Sequence, residues 1–165
     1  MRKGLMAAIS IGAIALPAVA LGGFEQTPEY GGELEKKEDH YLGFDVKGSG
    51  GDRKIKNAFG VNVPFKCEDS SDNGTQSGDL EKSVPVKANG SFDEKVKFTP
   101  TPSMPRRGGA DEIRYRLAGD LEGDKATGFI RIELLRSGPN NDCDSGKQDF
   151  KVKKPAPKPP LPDLE

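Results

Sequence analysis

His40 is the only histidine in the chain. Any Ser-His-Asp or Cys-His device would have to be built on it, because such devices need a histidine oriented by a third group. It lies between an acidic stretch and the first alternating segment, where a surface histidine is the simpler reading, and no catalytic residue is assigned. Carboxylates are abundant, and two of them facing a sugar could hydrolyse a glycosidic bond. Almost all fall on polar parities or in turns, however, and the chain has no tryptophan to serve as a saccharide platform. Asp69, Ser71, Asn73 and Gly74 fit the first six positions of an EF-hand register. The twelfth position is Leu80, where a bidentate glutamate is required, and no helices flank the loop. An irregular calcium site on Asp69 and Asp72 is all that remains of that idea, against a plain solvated loop. No metal site and no cofactor are assigned.

Cys67 and Cys143 are the only cysteines. In an exported chain one disulfide is the default reading. Two free thiols or an intermolecular bridge are the alternatives, and a metal site from two cysteines and a distant histidine is a weaker one. If the bridge forms, it sets the polar segments 68–79 and 136–147 side by side. Asp69, Asp72, Asn73, Gln76, Asn140, Asn141, Asp142 and Asp144 would then share one acidic, amide-rich rim. Such groups can hold a cation or accept hydrogen bonds from a sugar or peptide; solvated connections are the plainer alternative. Asn73-Gly74-Thr75 and Asn89-Gly90-Ser91 match the glycosylation sequon, and both read equally well as turns. Lys158-Pro159-Pro160-Leu161-Pro162 has the pattern of a ligand for proline-binding grooves, or of a stiff tail.

The elements that would position these groups begin after a leader. Arg2 and Lys3 precede an apolar run from Leu5 to Leu16, Pro17 breaks it, and Ala18-Val19-Ala20 has small residues where signal peptidase reads. The run is shorter than the roughly 20 residues of a membrane span, so residues 1–20 read as a cleavable signal peptide and no span is expected after cleavage. Of 25 basic and 26 acidic residues, only Arg2 and Lys3 leave with it. The mature chain is therefore slightly acidic, which argues against a nucleic-acid partner. Residues 21–40 carry six acidic groups between Glu25 and Asp39 with no apolar period and read as an acidic flexible leader.

From Tyr41 apolar residues recur every second position, as in half-buried strands. Leu42, Phe44 and Val46 open the series. Ile55, Phe59, Val61, Val63, Phe65 and Cys67 follow on one parity, with Asn57 and Gly60 marking a break or bulge and Pro64 hinting at an edge. Segment 68–79 reads as a polar loop. Leu80, Val84 and Val86 form a weaker strand, and Asn89-Gly90 signals a hairpin. Phe92, Val96 and Phe98 continue, with Glu94 on the apolar parity as a flaw that a bulge would rescue. A proline- and glycine-rich loop at 99–111 contains Arg106-Arg107. Ile113 to Leu121 and Ile130 to Leu134 make the clearest hairpin, around Glu122-Gly123-Asp124. Phe150 and Val152 close the domain. Seven or eight short strands without intervening helices predict an all-β antiparallel sandwich or barrel over 41–153. The proline-rich tail, 154–165, has no periodic apolar face and is expected to be dispensable for folding.

The strand ending in Cys67, the Asn89-Gly90-Ser91-Phe92 hairpin, the Leu117 to Gly128 hairpin with its Leu-x-Gly-x-Leu-x-Gly pattern, and a second cysteine before the last strand together resemble a broad group of uncharacterised secreted β proteins of actinobacteria. The resemblance covers Tyr41 to Lys153. It implies paired cysteines and one domain behind a signal peptide, and it brings no activity with it. The many lysines and the missing tryptophan depart from the group's pattern.

The expected protein is thus a non-enzymatic, secreted or cell-surface β module that binds an extracellular ligand or surface component. A structural or protease-inhibitor-like protein working through the 99–111 loop is one alternative, and a carboxylate-dependent hydrolase is another. The signal-peptide reading is checked by N-terminal sequencing of exported material, which should begin at Leu21. Recovery of exported protein that still carries Met1 would overturn it.

Overall fold

The period-two segments become strands, and every strand pairs antiparallel with its neighbours. A computed structural model describes residues 27–68, 73–99, 110–136 and 142–160. Within these lie ten strands: β1 (Tyr30–Leu34), β2 (Lys37–Lys47), β3 (Lys54–Cys67), β4 (Gly74–Leu80), β5 (Val84–Pro85), β6 (Ser91–Phe98), β7 (Glu112–Glu122), β8 (Lys125–Leu135), β9 (Cys143–Asp144) and β10 (Gln148–Lys153). The signal segment and residues 100–109 lie outside the described residues, as do Asp69, Asp72, Asn140 and Asn141. Of the two architectures left open by the sequence, the chain adopts the barrel. The order β10-β1-β2-β3-β9-β8 closes through a β8–β10 pairing into six strands, with β4 and β5 added along β3 and β7 and β6 along β8.

Long strands β3 and β8 are the hubs. Along one side β3 pairs first with β2 and then, at Lys66 and Cys67, with β9. Along its other side it pairs with β5 and β4. Strand β8 pairs with β7 over its whole length on one side, and with β10 and β9 on the other. One core runs through barrel and additions together, from Leu34, Leu42 and Phe44 through Ile55 and Phe65 to Leu117, Ile130 and Phe150. Side chains of this kind, fully buried, each contribute about 1.5–3 kcal/mol. Tyr115 ties the two additions together by donating its hydroxyl to the Lys82 carbonyl at 2.8 Å.

Several sequence expectations are corrected. The acidic leader is not flexible along its full length, because residues 30–40 supply β1 and the start of β2. Tyr30 and Leu34 face the core, but Gly31 and Gly32 between them hide the alternation. A Cβ on Gly32 would sit 2.2 Å from the Lys151 carbonyl oxygen, so glycine is what lets β1 lie against β10. The hairpin after β1 turns at Glu35 and Lys36, both with positive φ (50° and 58°), rather than at the Asn-Gly pair such a turn favours. The polar loop at 68–79 is also partly strand. β4 has only Leu80 buried and owes its place to main-chain pairing with β3 rather than to apolar burial. Glu94 needs no bulge: the β6–β7 register is unbroken from Ser91 to Phe98, and the side chain is half-exposed on the core parity.

Strand β3 differs most. Its apolar residues share one parity in the sequence but not one face in the fold. A register shift places Asn57 and Ala58 opposite Phe44, and a second places Val61 and Asn62 opposite Ser77. Asn57 and Asn62 have φ of 50° and 52°, a left-handed conformation that asparagine tolerates better than most residues. Each extra residue inverts the in–out alternation. Ile55 therefore points into the core, Phe59 and Val61 point out, and Val63 and Phe65 point in again. Pro64 falls between the end of the β2 pairing at Val61 and the start of the β9 pairing at Lys66, where one side of β3 has no ladder to interrupt.

Outward-facing Phe59 and Val61 form a second small cluster with Tyr41, and the tail lies against it. The Tyr41 hydroxyl donates to the Pro157 carbonyl at 3.0 Å. The Lys154 amide donates to the Asp124 carbonyl, and its ammonium group pairs with Glu29. The tail is thus joined to the domain through Lys154 and Pro157.

Cys67 and Cys143 are register partners joined by a disulfide that spans 76 residues of sequence. Chain-entropy arithmetic assigns a loop of this size about 4 kcal/mol, a large part of a small domain's stability. Native protein should resist alkylation until it is reduced. The reduced form should shift its urea midpoint down by the equivalent of about 2–5 kcal/mol. Two alkylatable thiols in unreduced protein would overturn the pairing.

Candidate functional site

The expected rim surrounds the disulfide, and its described members are already engaged within the fold. Asn73 Oδ1 accepts the Cys67 amide at 2.8 Å, which ties the start of β4 back to the end of β3. The Glu68 amide donates to the Asp142 carbonyl, and Asp142 Oδ1 accepts the Arg136 amide at 2.9 Å. Asp144 receives both arms of Arg131, at 3.1 and 2.6 Å, and also the Gly146 amide. The Arg131 guanidinium, the chief cause, holds the Asp144 carboxyl below its ordinary range against the upward pull of burial. Gln76 lies within β4 opposite Val63, well back from the bridge. Asp69, Asp72, Asn140 and Asn141 lie outside the described residues, so the rim here consists of the frame from which segments 69–72 and 137–141 leave.

Beside the rim, the outer face of β7 and β8 sets Arg116 directly opposite Arg131. Two cations facing one another across a sheet repel. Asp93 and Asp144 each hold one of them in a two-pronged pair, and the Arg116 guanidinium lies 5.3 Å from the centre of the Phe129 ring. These groups are exposed, so the pairs position side chains more than they add stability.

A cleft of about 270 Å³ opens on the far side of β3 and was not legible as a site in the sequence. Pro28, Phe59 and Leu80 give it apolar walls, and Asp45, Asp79 and Glu81 bring carboxylates to it. The two aspartates behave oppositely. Burial alone pushes Asp79 above its ordinary value. Burial pulls Asp45 upward too, but the Asn57 side-chain amide and the Glu29 main-chain amide, both at 2.9 Å, outweigh it, with Lys47 adding to them. The Asp45 carboxyl therefore ends below its ordinary value.

His40 is not a surface residue. It shares the inward parity of Leu42 and Phe44 and is 5% exposed. Its Nδ1 is buried without a hydrogen-bond partner, and its Nε2 lies 3.9 Å from Asp39. No serine or cysteine nucleophile accompanies it among the described contacts. Asn89 is a turn residue whose Oδ1 accepts from the Ser91 amide and hydroxyl. Among the described residues no group of three or more metal-ligating side chains is assembled, and no helix is long and apolar enough to cross a membrane.

No family model, curated protein or solved structure matches this chain.

The opposed aspartates give a test by pH. An acid whose folded-state pKa is raised destabilises the fold as pH climbs from 3.8, the ordinary aspartate value, through the folded-state value. Asp79→Asn should therefore raise Tm at neutral pH and leave it unchanged in strong acid. Asp45 has a lowered folded-state value, so it stabilises above 3.8 and loses that contribution as pH falls through its folded-state value. Asp45→Asn should lower Tm at neutral pH. Thermal melts across pH check both signs, and equal shifts in the same direction would refute the assignment.

Proposed function

We propose that this chain is a secreted or cell-surface, non-enzymatic binding module that presents two polar segments, 69–72 and 137–141, from a disulfide-clamped rim of the barrel. The observation that carries the reading is the position of the bridge. Cys67 ends the strand that leads into the first segment, and Cys143 opens the strand that follows the second. Asn73, Asp142 and Asp144 hold the roots of both segments. Clamping loops at their roots lowers the ordering entropy that a ligand must overcome, and loops on a rigid scaffold carry binding more often than sheet faces do. The disulfide is compatible with an oxidising compartment outside the cytoplasm. The ligand class is one rich in hydrogen-bond donors, a sugar or a peptide of an extracellular partner or surface component.

A carboxylate-dependent hydrolase is the second reading, favoured by the cleft in which Asp79 is pushed up and Asp45 down. Environments that separate two carboxylates in this way are how acid and base roles are divided. It ranks lower because both Asp45 oxygens are already held, Oδ1 by the Glu29 amide and Oδ2 by Asn57. The protease-inhibitor reading rests on Arg106 and Arg107, outside the described residues.

Replacing residues 69–72 by a Gly-Ser segment, with Asn73 retained for its bond to Cys67, tests the rim. The variant should melt like the parent, yet lose retention on arrays of polysaccharides and peptides to which the parent binds. Retention equal to the parent's would rule out the rim as the contact surface. Turnover of a glycoside panel that disappears in Asp79→Asn would establish the hydrolase instead.

A further inference from the structure

The outer face of β1, β2 and β3 carries the aromatic pair Tyr41 and Phe59 beside the chain's own proline-rich segment. A polyproline helix has no internal hydrogen bonds and leaves its carbonyls in need of outside donors. Domains that recognise it offer flat aromatic rings with a donor among them. Here Gly31 and Gly43 are register partners, and rings lie across both. A Cβ on Gly31 would meet the Tyr41 hydroxyl, and one on Gly43 would sit 2.7 Å from Phe59 Cζ and 2.8 Å from Pro28 Cγ. The Tyr41 and Phe59 centroids are 5.9 Å apart with their planes tilted by 32°. The bulge at Asn57 brings Phe59 and Val61 to this face, and the one at Asn62 turns Val63 and Phe65 back to the core.

The groove is occupied by the chain's own proline-rich segment. The Tyr41 hydroxyl reaches the Pro157 carbonyl, and Ala156 Cβ lies 3.0 Å from the place a Gly31 Cβ would take. Tyr41 is 3% exposed, and burial pushes its pKa up to about 12, so the hydroxyl stays a donor across the physiological range. Ala156, Pro159 and Pro160 are half-buried while Pro157 and Lys158 remain exposed, as expected of an extended segment that rests one side on a surface.

We propose that the Tyr41–Phe59 groove is a polyproline-recognition site, that residues 155–160 are its tethered ligand, and that the same segment of a second copy can take its place. The second copy is the occupant committed to because its segment has the sequence already seated there. In the closed form the tether holds the segment at an effective concentration near millimolar, so exchange between copies is confined to crowded conditions such as a densely covered surface. Head-to-tail exchange would link copies without any new contact.

The test uses the full-length chain with Pro155, Pro157, Pro159 and Pro160 replaced by serine to vacate the groove, and a labelled synthetic peptide of residues 154–160 as probe. The vacated protein should bind the peptide at least about tenfold more tightly than the wild type, whose groove is already filled. Adding Tyr41→Phe to the vacated protein should weaken peptide binding several-fold while its melt stays cooperative. A cooperatively melting vacated protein that ignores the peptide would overturn the proposal, as would equal binding by wild type and vacated protein. If the fourfold variant fails to melt cooperatively, wild type is titrated to millimolar peptide instead. Saturable shifts of the Tyr41 ring resonances would support exchange, and fixed resonances would mark a permanent strap and overturn it. This outcome is independent of the rim, since residues 69–72 are left unchanged in every variant.

Discussion

Closure of the barrel passes through two residues. Strand β9 is only Cys143 and Asp144, and among the described residues it is the strand that links hub strands β3 and β8 on that side, pairing with Lys66 and Cys67 on one flank and with Glu133 and Leu134 on the other. Main-chain hydrogen bonds contribute about 1 kcal/mol each in net terms, so a junction this short is weak on its own. The Cys67–Cys143 bond adds a covalent constraint at that junction, and Arg131 reaches from β8 to hold the Asp144 side chain in place. Without closure β3 and β8 would each present an open edge, and open edges recruit other strands. The closure of the barrel around its core and the placement of the rim presuppose that this junction holds.

Much of the architecture was legible because its strands bury one face. β7, β8 and β10 alternate cleanly, and the β7–β8 hairpin at Glu122-Gly123-Asp124 turns where the sequence signals a turn. What escaped did so for identifiable reasons. β1 hides its two core residues around a pair of glycines that serve backbone approach. β4 buries almost nothing, and hydrophobic period cannot report a strand held by its main chain. In β3 the odd-numbered apolar series suggested one parity with a break or bulge at Asn57 or Gly60, whereas two residues are inserted, one at each of two shifts. The marks of insertion were Asn57 and Asn62, residues suited to the left-handed backbone of a bulge, and of these two only Asn57 looked like a break from the sequence.

The candidate site was legible in outline and not in detail. The cysteine pair located the rim, yet Asn73, Asp142 and Asp144 act there as caps and ion-pair partners of the fold. A side chain rich in acceptors is suited to both roles, and sequence alone does not say which one its neighbours claim. The cleft with Asp45 and Asp79 and the groove with Tyr41 and Phe59 were invisible for a different reason. Both depend on residues brought to the outside of β3 by its bulge at Asn57, and on Pro28 and residues 154–160, which the sequence presents as remote from the domain.

The ends of the domain bear on how it would respond to being pulled. β1 and β10 are antiparallel neighbours, with Gly31 opposite Lys153. Tension applied through the two ends would load their ladder one rung at a time, as a zipper opens, and not all rungs in parallel. Such a contact gives way at low force. The bridge then sets a limit, because everything between Cys67 and Cys143 lies inside a covalent loop that tension along the chain bypasses. A molecule anchored at one end and gripped at the other would lengthen easily by its terminal strands and then stop, with about half of its residues still shielded from the load.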